Sequence, residues 1–228
     1  MKKDLMKPNK WPLLAIAGLI ALGLGAYALS SGNLLKDGQA RVDKTLKTDS
    51  IVFFHQLEAT DDKGQCNGKE KTTVKAALGK WTDAVKLDTD NREGGCYQKF
   101  GIYDPDNQLA NTKISVNFVK EKNTDGQCEK TGKRIIPITD KLVGSNPSKW
   151  SSAYLIDTDE RYGACTQTFS LISKDNIVLD IKFDAENDEG QCGNAGTHTV
   201  KPGKTVSLRL DMDGRSGGCY EQFRLRKL

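Results

Sequence analysis

The residues with the most chemical potential in this chain are paired aspartates that occur three times in the same setting. DTDNREGGCYQKF spans 88–100, DTDERYGACTQTF spans 157–169 and DMDGRSGGCYEQF spans 211–223, so the shared pattern is D-x-D-x-R-x-G-[GA]-C-x-x-x-F. Aspartates one residue apart are how a calcium loop begins, with oxygens from its first, third and fifth positions. Asp88 and Asp90, Asp157 and Asp159, and Asp211 and Asp213 would supply the first two. The fifth position is Arg92, Arg161 or Arg215, a cation that repels another cation, and no acid closes the loop. The pattern therefore reads better as a locked turn, with calcium the weaker alternative. In that reading each arginine would pair with an aspartate across the turn, and the glycines would give the backbone freedom needed just before the cysteine; a ligand contact is the remaining alternative.

Acid–base chemistry finds little to work with. The chain has 2 histidines. His55 lies on the apolar run Ile51–Leu57, and His198 lies beside the Cys192 loop, neither with a counterpart in the other signature-bearing segments. We expect no catalytic residue, no cofactor and no enzyme. Trp81 and Trp150 stand at matching places before Thr82 and Ser151, on what reads as a hairpin shoulder. They are candidate partner contacts or caps on a small core. Tyr97 and Tyr220, pointing away from the core side of their strand, are candidate partner contacts too.

The elements that must position these residues repeat with the cysteines. Gly64-Gln65-Cys66, Gly126-Gln127-Cys128 and Gly190-Gln191-Cys192 recur at intervals of 62 and 64, each followed by a signature cysteine. Such self-similarity marks a repeat architecture. The symmetry selects three pairings, Cys66–Cys96, Cys128–Cys165 and Cys192–Cys219, each within one repeat. The length differences fall between Val74 and Thr82, Ile136 and Ser151, and Val200 and Thr205, which suggests a hairpin tip that tolerates insertion.

Around these anchors the pattern has a period of two. Ile177, Leu179, Ile181 and Phe183 alternate with Val178, Asp180 and Lys182, and Ile114, Val116 and Phe118 do the same. Phe100, Phe169 and Phe223 lie four residues past a signature cysteine, and Ile102, Leu171 and Leu225 lie six past it. Even spacing puts cysteine, phenylalanine and aliphatic on one strand face, the core face. The fold class this predicts is mainly β: three tandem, small, disulfide-stapled β-sandwich or barrel-like repeats, 51–113, 114–176 and 177–228, after an N-terminal transmembrane helix.

That helix is read at 11–29, WPLLAIAGLIALGLGAYAL, nineteen residues without charge between a basic tail, 1–10, and a polar linker, 30–50. Its length just spans a bilayer core. The lysines before it place the N-terminus in the cytoplasm and the repeats in the periplasm or extracellular space. Ala26-Tyr27-Ala28 also fits a signal-peptide cleavage site, which is the alternative. Ala17, Ala21 and Gly25 form a small-residue seam for a second helix. From Ile51 onward basic and acidic residues balance at 26 each, so nothing favours nucleic acid. The sequence thus predicts a signal-anchored, non-enzymatic structural or adaptor subunit of a cell-envelope assembly. It would bind envelope or membrane proteins through its repeats and contact the lipid bilayer. The alternative is a secreted binding protein, either a carbohydrate binder or an enzyme inhibitor.

Overall fold

A computed structural model describes residues 50–61, 66–87, 95–122, 128–157, 163–187, 192–211 and 217–228. The predicted transmembrane helix, its seam and the linker to 49 lie outside the described residues. What is described is mainly β, stapled by three disulfides, with no helix among the described residues.

The first segment gives β1 (Val52–Ala59), β2 (Lys71–Ala77), β3 (Val85–Leu87) and β4 (Gly95–Tyr103). The second gives β5 (Thr112–Lys120), β6 (Cys128–Glu129), β7 (Gly132–Ile136), β8 (Ile138–Thr139), β9 (Leu142–Val143), β10 (Asn146–Pro147), β11 (Tyr154–Asp157) and β12 (Cys165–Ser173). The third gives β13 (Ile177–Ala185), β14 (Cys192–Gly193), β15 (Gly196–Val200), β16 (Thr205–Leu210) and β17 (Cys219–Lys227).

The segments do not close into three separate sandwiches, and this corrects the sequence reading. One sheet runs β2-β1-β4-β11-β6, a second runs β14-β16-β12-β5-β7 and a third runs β15-β13-β17-β3. In each, a segment's own long strands accept a strand from the next segment: β11 on β4, β16 on β12, and β3 on β17. The third sheet therefore completes itself with a strand from the first segment, and the exchange is cyclic. The physical reason is size. A unit of about 50–60 residues buries too little surface to stand alone, whereas pooled strands enclose one core. That core is continuous from Ile51 to Leu225.

At its centre Phe100, Phe169 and Phe223 meet, with ring centroids 5.8, 5.4 and 5.6 Å apart pairwise. Their tilted and edge-on contacts suit the aromatic quadrupole. The cysteine–phenylalanine–aliphatic face is thus the core face, buried throughout.

The exchange also changes what the disulfides do. The three bonds are Cys66–Cys96, Cys128–Cys165 and Cys192–Cys219. Ile156 pairs with both Cys96 and Cys128, Leu210 with Cys165 and Cys192, and Leu87 with Cys219 and Cys66. Disulfides and strand pairs alternate around a closed ring at one end of the core. Each bond links neighbouring sheets, although both of its cysteines belong to one segment.

The connection expected at a hairpin tip is likewise a crossover, because β2 and β3 lie in different sheets. In the second segment its extra length forms β8, which pairs in parallel with β4, and the hairpin β9–β10.

Candidate functional site

Most of the signature loop, including Asp88, Asp90, Arg92, Asp159, Arg161, Asp213 and Arg215, lies outside the described residues. Asp157 ends β11. Asp211 accepts a 2.7 Å hydrogen bond from Arg209 Nη1. Gly163 and Gly217 have φ of 87° and 85°, a region costly for other residues, so glycine is required where the loop turns into its cysteine.

The loop's end is clamped from the first strand of the same segment. Thr60 Oγ1 accepts from Gly95 N at 2.7 Å, Glu121 Oε2 from Ala164 N at 2.9 Å and Glu186 Oε2 from Gly218 N at 3.2 Å. The Ala164 amide, helped by Arg209, holds the Glu121 carboxyl below the usual range. Burial works against Glu186, but hydrogen bonds from Lys86, Gly218 and Tyr220 bring it below the usual range as well. Among the described residues no three His, Cys, Asp or Glu side chains are grouped to hold a metal.

A polar cluster that the sequence reading passed over lies in the core. Gln98, Gln167 and Glu221 each stand two residues past a signature cysteine, and all three are fully buried. Gln98 Nε2 donates to Glu221 Oε2 at 2.6 Å, and Gln167 Nε2 donates to Glu221 Oε1. Tyr154 donates its phenolic proton to Gln167 Oε1 at 3.1 Å. Gln98 Nε2 also reaches His55 Nε2, 2.7 Å away, while the imidazole stacks on Phe100 at 4.7 Å.

Burial pushes Glu221 up to about 7 and His55 down to about 3. Burial, then the neighbouring Glu221, push Tyr154 well above the ordinary phenol range. A general base has to reach a substrate proton, and at 0% exposure neither His55 nor Glu221 is presented to one. The available signal was the even spacing, which puts the third signature residue on the cysteine face whatever its polarity. His198 is half-buried and donates from Nε2 to Asn194 O at 2.5 Å.

The aromatic candidates fall on the outer faces of two sheets. On the third sheet, the Arg224 guanidinium lies 4.5 Å from the Trp81 ring centroid and pairs at 2.7 Å with Asp180, which Arg226 also binds. Tyr220 donates to Glu186 at 3.2 Å. On the first sheet, Trp150 meets Phe54 edge-on at 6.1 Å, and Lys99 Nζ sits 5.4 Å from its ring centroid. Both tryptophans cap a sheet face and are only half-buried.

Residues 147–151 form a strap across the outer face of β4, with Pro147 and Lys149 against Gly101 and Ser151 N bonded to Phe100 O. On the same sheet lies a cleft of about 240 Å³ lined by Gln56, Glu58, Tyr97, Lys99, Lys130 and Ala153. Its floor is the outer face of β1 and β4, where Gln56 pairs with Lys99 and Glu58 with Tyr97. Its far wall is Lys130, whose ammonium sits 4.5 Å from the Tyr97 ring centroid and donates to the phenol oxygen at 3.0 Å. Gln56 is 3% exposed and donates to Thr73 at 2.7 Å, while its Oε1 has no partner among the described residues. Burying an amide oxygen without a partner is costly.

Lys130 also has φ of 52°, and every other non-glycine residue at positive φ among the described residues is an asparagine: Asn67, Asn107, Asn176 and Asn194. Asparagine adopts that conformation more readily than lysine does. Arg134 holds the turn by donating to the carbonyls of Lys130 and Thr131.

Comparison with known protein families, with curated proteins and with solved structures finds no match.

Proposed function

We propose that this chain is a non-enzymatic adaptor of a cell-envelope assembly. It is anchored by a single N-terminal helix with its N-terminus in the cytoplasm, and its β body on the far side of the membrane docks protein partners. The body is read as three repeats of one ancestral unit, and the recurring signature and the cyclic exchange of strands support that reading. The single observation that carries the function is the first sheet's outer face. There the second segment's extra chain builds a strap and hairpin beside a cleft lined by Tyr97, Lys99 and Lys130 together with Gln56, Glu58 and Ala153. An insertion placed on an outer face, while the titratable pair His55 and Glu221 is sealed in the core, suits a binding body rather than a catalyst.

The test is gentle purification of the full chain from its native membrane in detergent, with intact mass measured without reduction and companions identified. Full length less six hydrogens, with stoichiometric companions, is the expected result. A mass beginning near Leu29 and no companion would replace this reading with a secreted binding protein.

A further inference from the structure

We propose that the Tyr97–Lys99–Lys130 cleft is a carboxylate-binding site that takes an acidic side chain from a protein partner. The inference rests on the adaptor reading and names the chemistry of the partner.

Three observations converge on the cleft. Two lysines, Lys99 and Lys130, are among its lining residues, one on the sheet and one on the turn after Cys128, and the acid among them, Glu58, is already paired with Lys71 at 3.2 Å. Each sits over an aromatic ring, Trp150 or Tyr97, a contact that favours these positions for the two charges. Tyr97 accepts from Lys130, which leaves its own O–H to donate to a ligand oxygen. Gln56 lies beneath them as part of the floor, 3% exposed and with its Nε2 donating to Thr73.

The third observation is the backbone of Lys130. A lysine kept at φ 52°, where the other non-glycine residues at positive φ among the described residues are asparagines, carries a local backbone cost. The turn itself does not need a lysine. Asn194 occupies the matching place two residues after Cys192 and bonds Ser207 O from its side chain. The charge is what the lysine adds.

An acidic protein segment is favoured over an acidic sugar for two reasons. Sugars are usually gripped by an aromatic face against the ring, and here both rings already carry an ammonium. The β9–β10 hairpin also stands on the same outer face, its Pro147 packed where Gly101 lacks a Cβ, and it exposes Leu142 at 42% and Val143 at 70%. A protein segment with an acidic residue and an apolar neighbour complements both features; a sugar acid complements only the first.

The experiment uses the full chain in detergent micelles. A fluorescent hexapeptide of alternating glutamate and leucine is titrated by anisotropy against the wild type, Lys130→Asn and Lys99→Gln. A glutamine-for-glutamate peptide and tri-galacturonate serve as rival probes. The expected result is binding of the glutamate peptide that weakens as salt is raised and falls about tenfold in each variant, the scale of one charge-assisted contact. Lys130→Asn relieves the backbone, so its melting temperature should hold or rise, and lost binding cannot then be unfolding.

Equal binding of the glutamine peptide, or unchanged affinity in both variants, would overturn the site. Binding of tri-galacturonate but not of the peptide would overturn the protein partner. If companions co-purify equally with wild type and Lys130→Asn, the cleft fails while the adaptor reading stands. If the peptide binds as expected but the native chain has no companions, the adaptor reading fails instead.

Discussion

Glu221 Oε2 lies 4.0 Å from His55 Nε2 in the centre of the core, and both residues break a threefold pattern at the same place. Where Glu221 stands, the other two segments have Gln98 and Gln167. Where His55 faces Phe100 across the ladder, Val116 faces Phe169 and Ile181 faces Phe223. Gln98 touches both departures, so the carboxyl and the imidazole belong to one buried network.

Their opposed shifts set a pH dependence of stability. The Glu221 pKa is raised in the folded chain, to about 7, so its contribution is full below about pH 4.5 and is lost as pH rises through 7. The His55 pKa is depressed to about 3, so its contribution is full above about pH 6.5 and is lost as pH falls toward 3. Between about pH 4.5 and 6.5 the two slopes oppose and the wild type should show a plateau. Glu221→Gln should raise stability most above pH 7, and His55→Val should raise it most at the acid end, near pH 4, by about 1–3 kcal/mol each. Thermal melts from pH 4 to 8.5 check this, and identical profiles for the wild type and both variants would refute it.

Replacing Cys192 and Cys219 together by alanine opens the ring at one point. A closed loop of 27 residues should contribute about 3.5 kcal/mol, so the midpoint in urea should fall accordingly. Removing any one of the three bonds should cost a similar amount, since each links two sheets in the same way.

Gly101 has no room for a side chain, because a Cβ there would lie 2.8 Å from Pro147 Cγ and 3.0 Å from Lys149 O. Gly101→Ala should push the strap off the sheet and cost about 1–3 kcal/mol. Tryptophan emission should shift to the red through Trp150, and a Trp81→Phe background should keep that shift. No shift would mean the strap does not rest on Gly101.

Asp180 is 1% exposed, and burial alone would raise its pKa. Hydrogen bonds from Arg226, Thr199 and Arg224 hold it below the usual carboxylate range instead. Asp180→Asn should destabilise the chain by about 3 kcal/mol, since it leaves two arginines without their shared anion. The wild type's advantage over the variant should be present above about pH 4 and shrink as pH falls below it. An advantage that grew at acid pH would contradict the assignment.

Calcium should leave the melting temperature unchanged. Asp211, the first acid of the third signature, already accepts from Arg209. A rise of several degrees in millimolar calcium would revive the chelating reading of the signature.

Much of the scaffold was readable from spacing alone. The cysteine symmetry selects the three pairings, and the step of two from Cys96 through Gln98 and Phe100 to Ile102 names the buried face. The same step names the polar cluster too, but a search for apolar residues overlooks glutamines and a glutamate on that face. The exchange of β3, β11 and β16 leaves no local mark, because a strand's own pattern says which face is buried and not which sheet receives it. The cleft was half legible. Tyr97 and Trp150 stood out as outward aromatics, but Lys99, Lys130 and Gln56 are ordinary surface residues until the strap and the turn bring them together.

The pairing of β3 with β17 also bears on biosynthesis. The ribosome delivers Val85–Leu87 long before the residues they need, Glu221, Tyr220 and Cys219, have been made. A nascent chain that has reached Gly218 still holds an orphan strand, a cysteine at 192 with no mate, and two phenylalanines waiting for a third. A chain that stops before Cys219 cannot complete this core: it leaves a thiol and an open sheet edge exposed, the kind of surface that chaperones and quality-control proteases recognise.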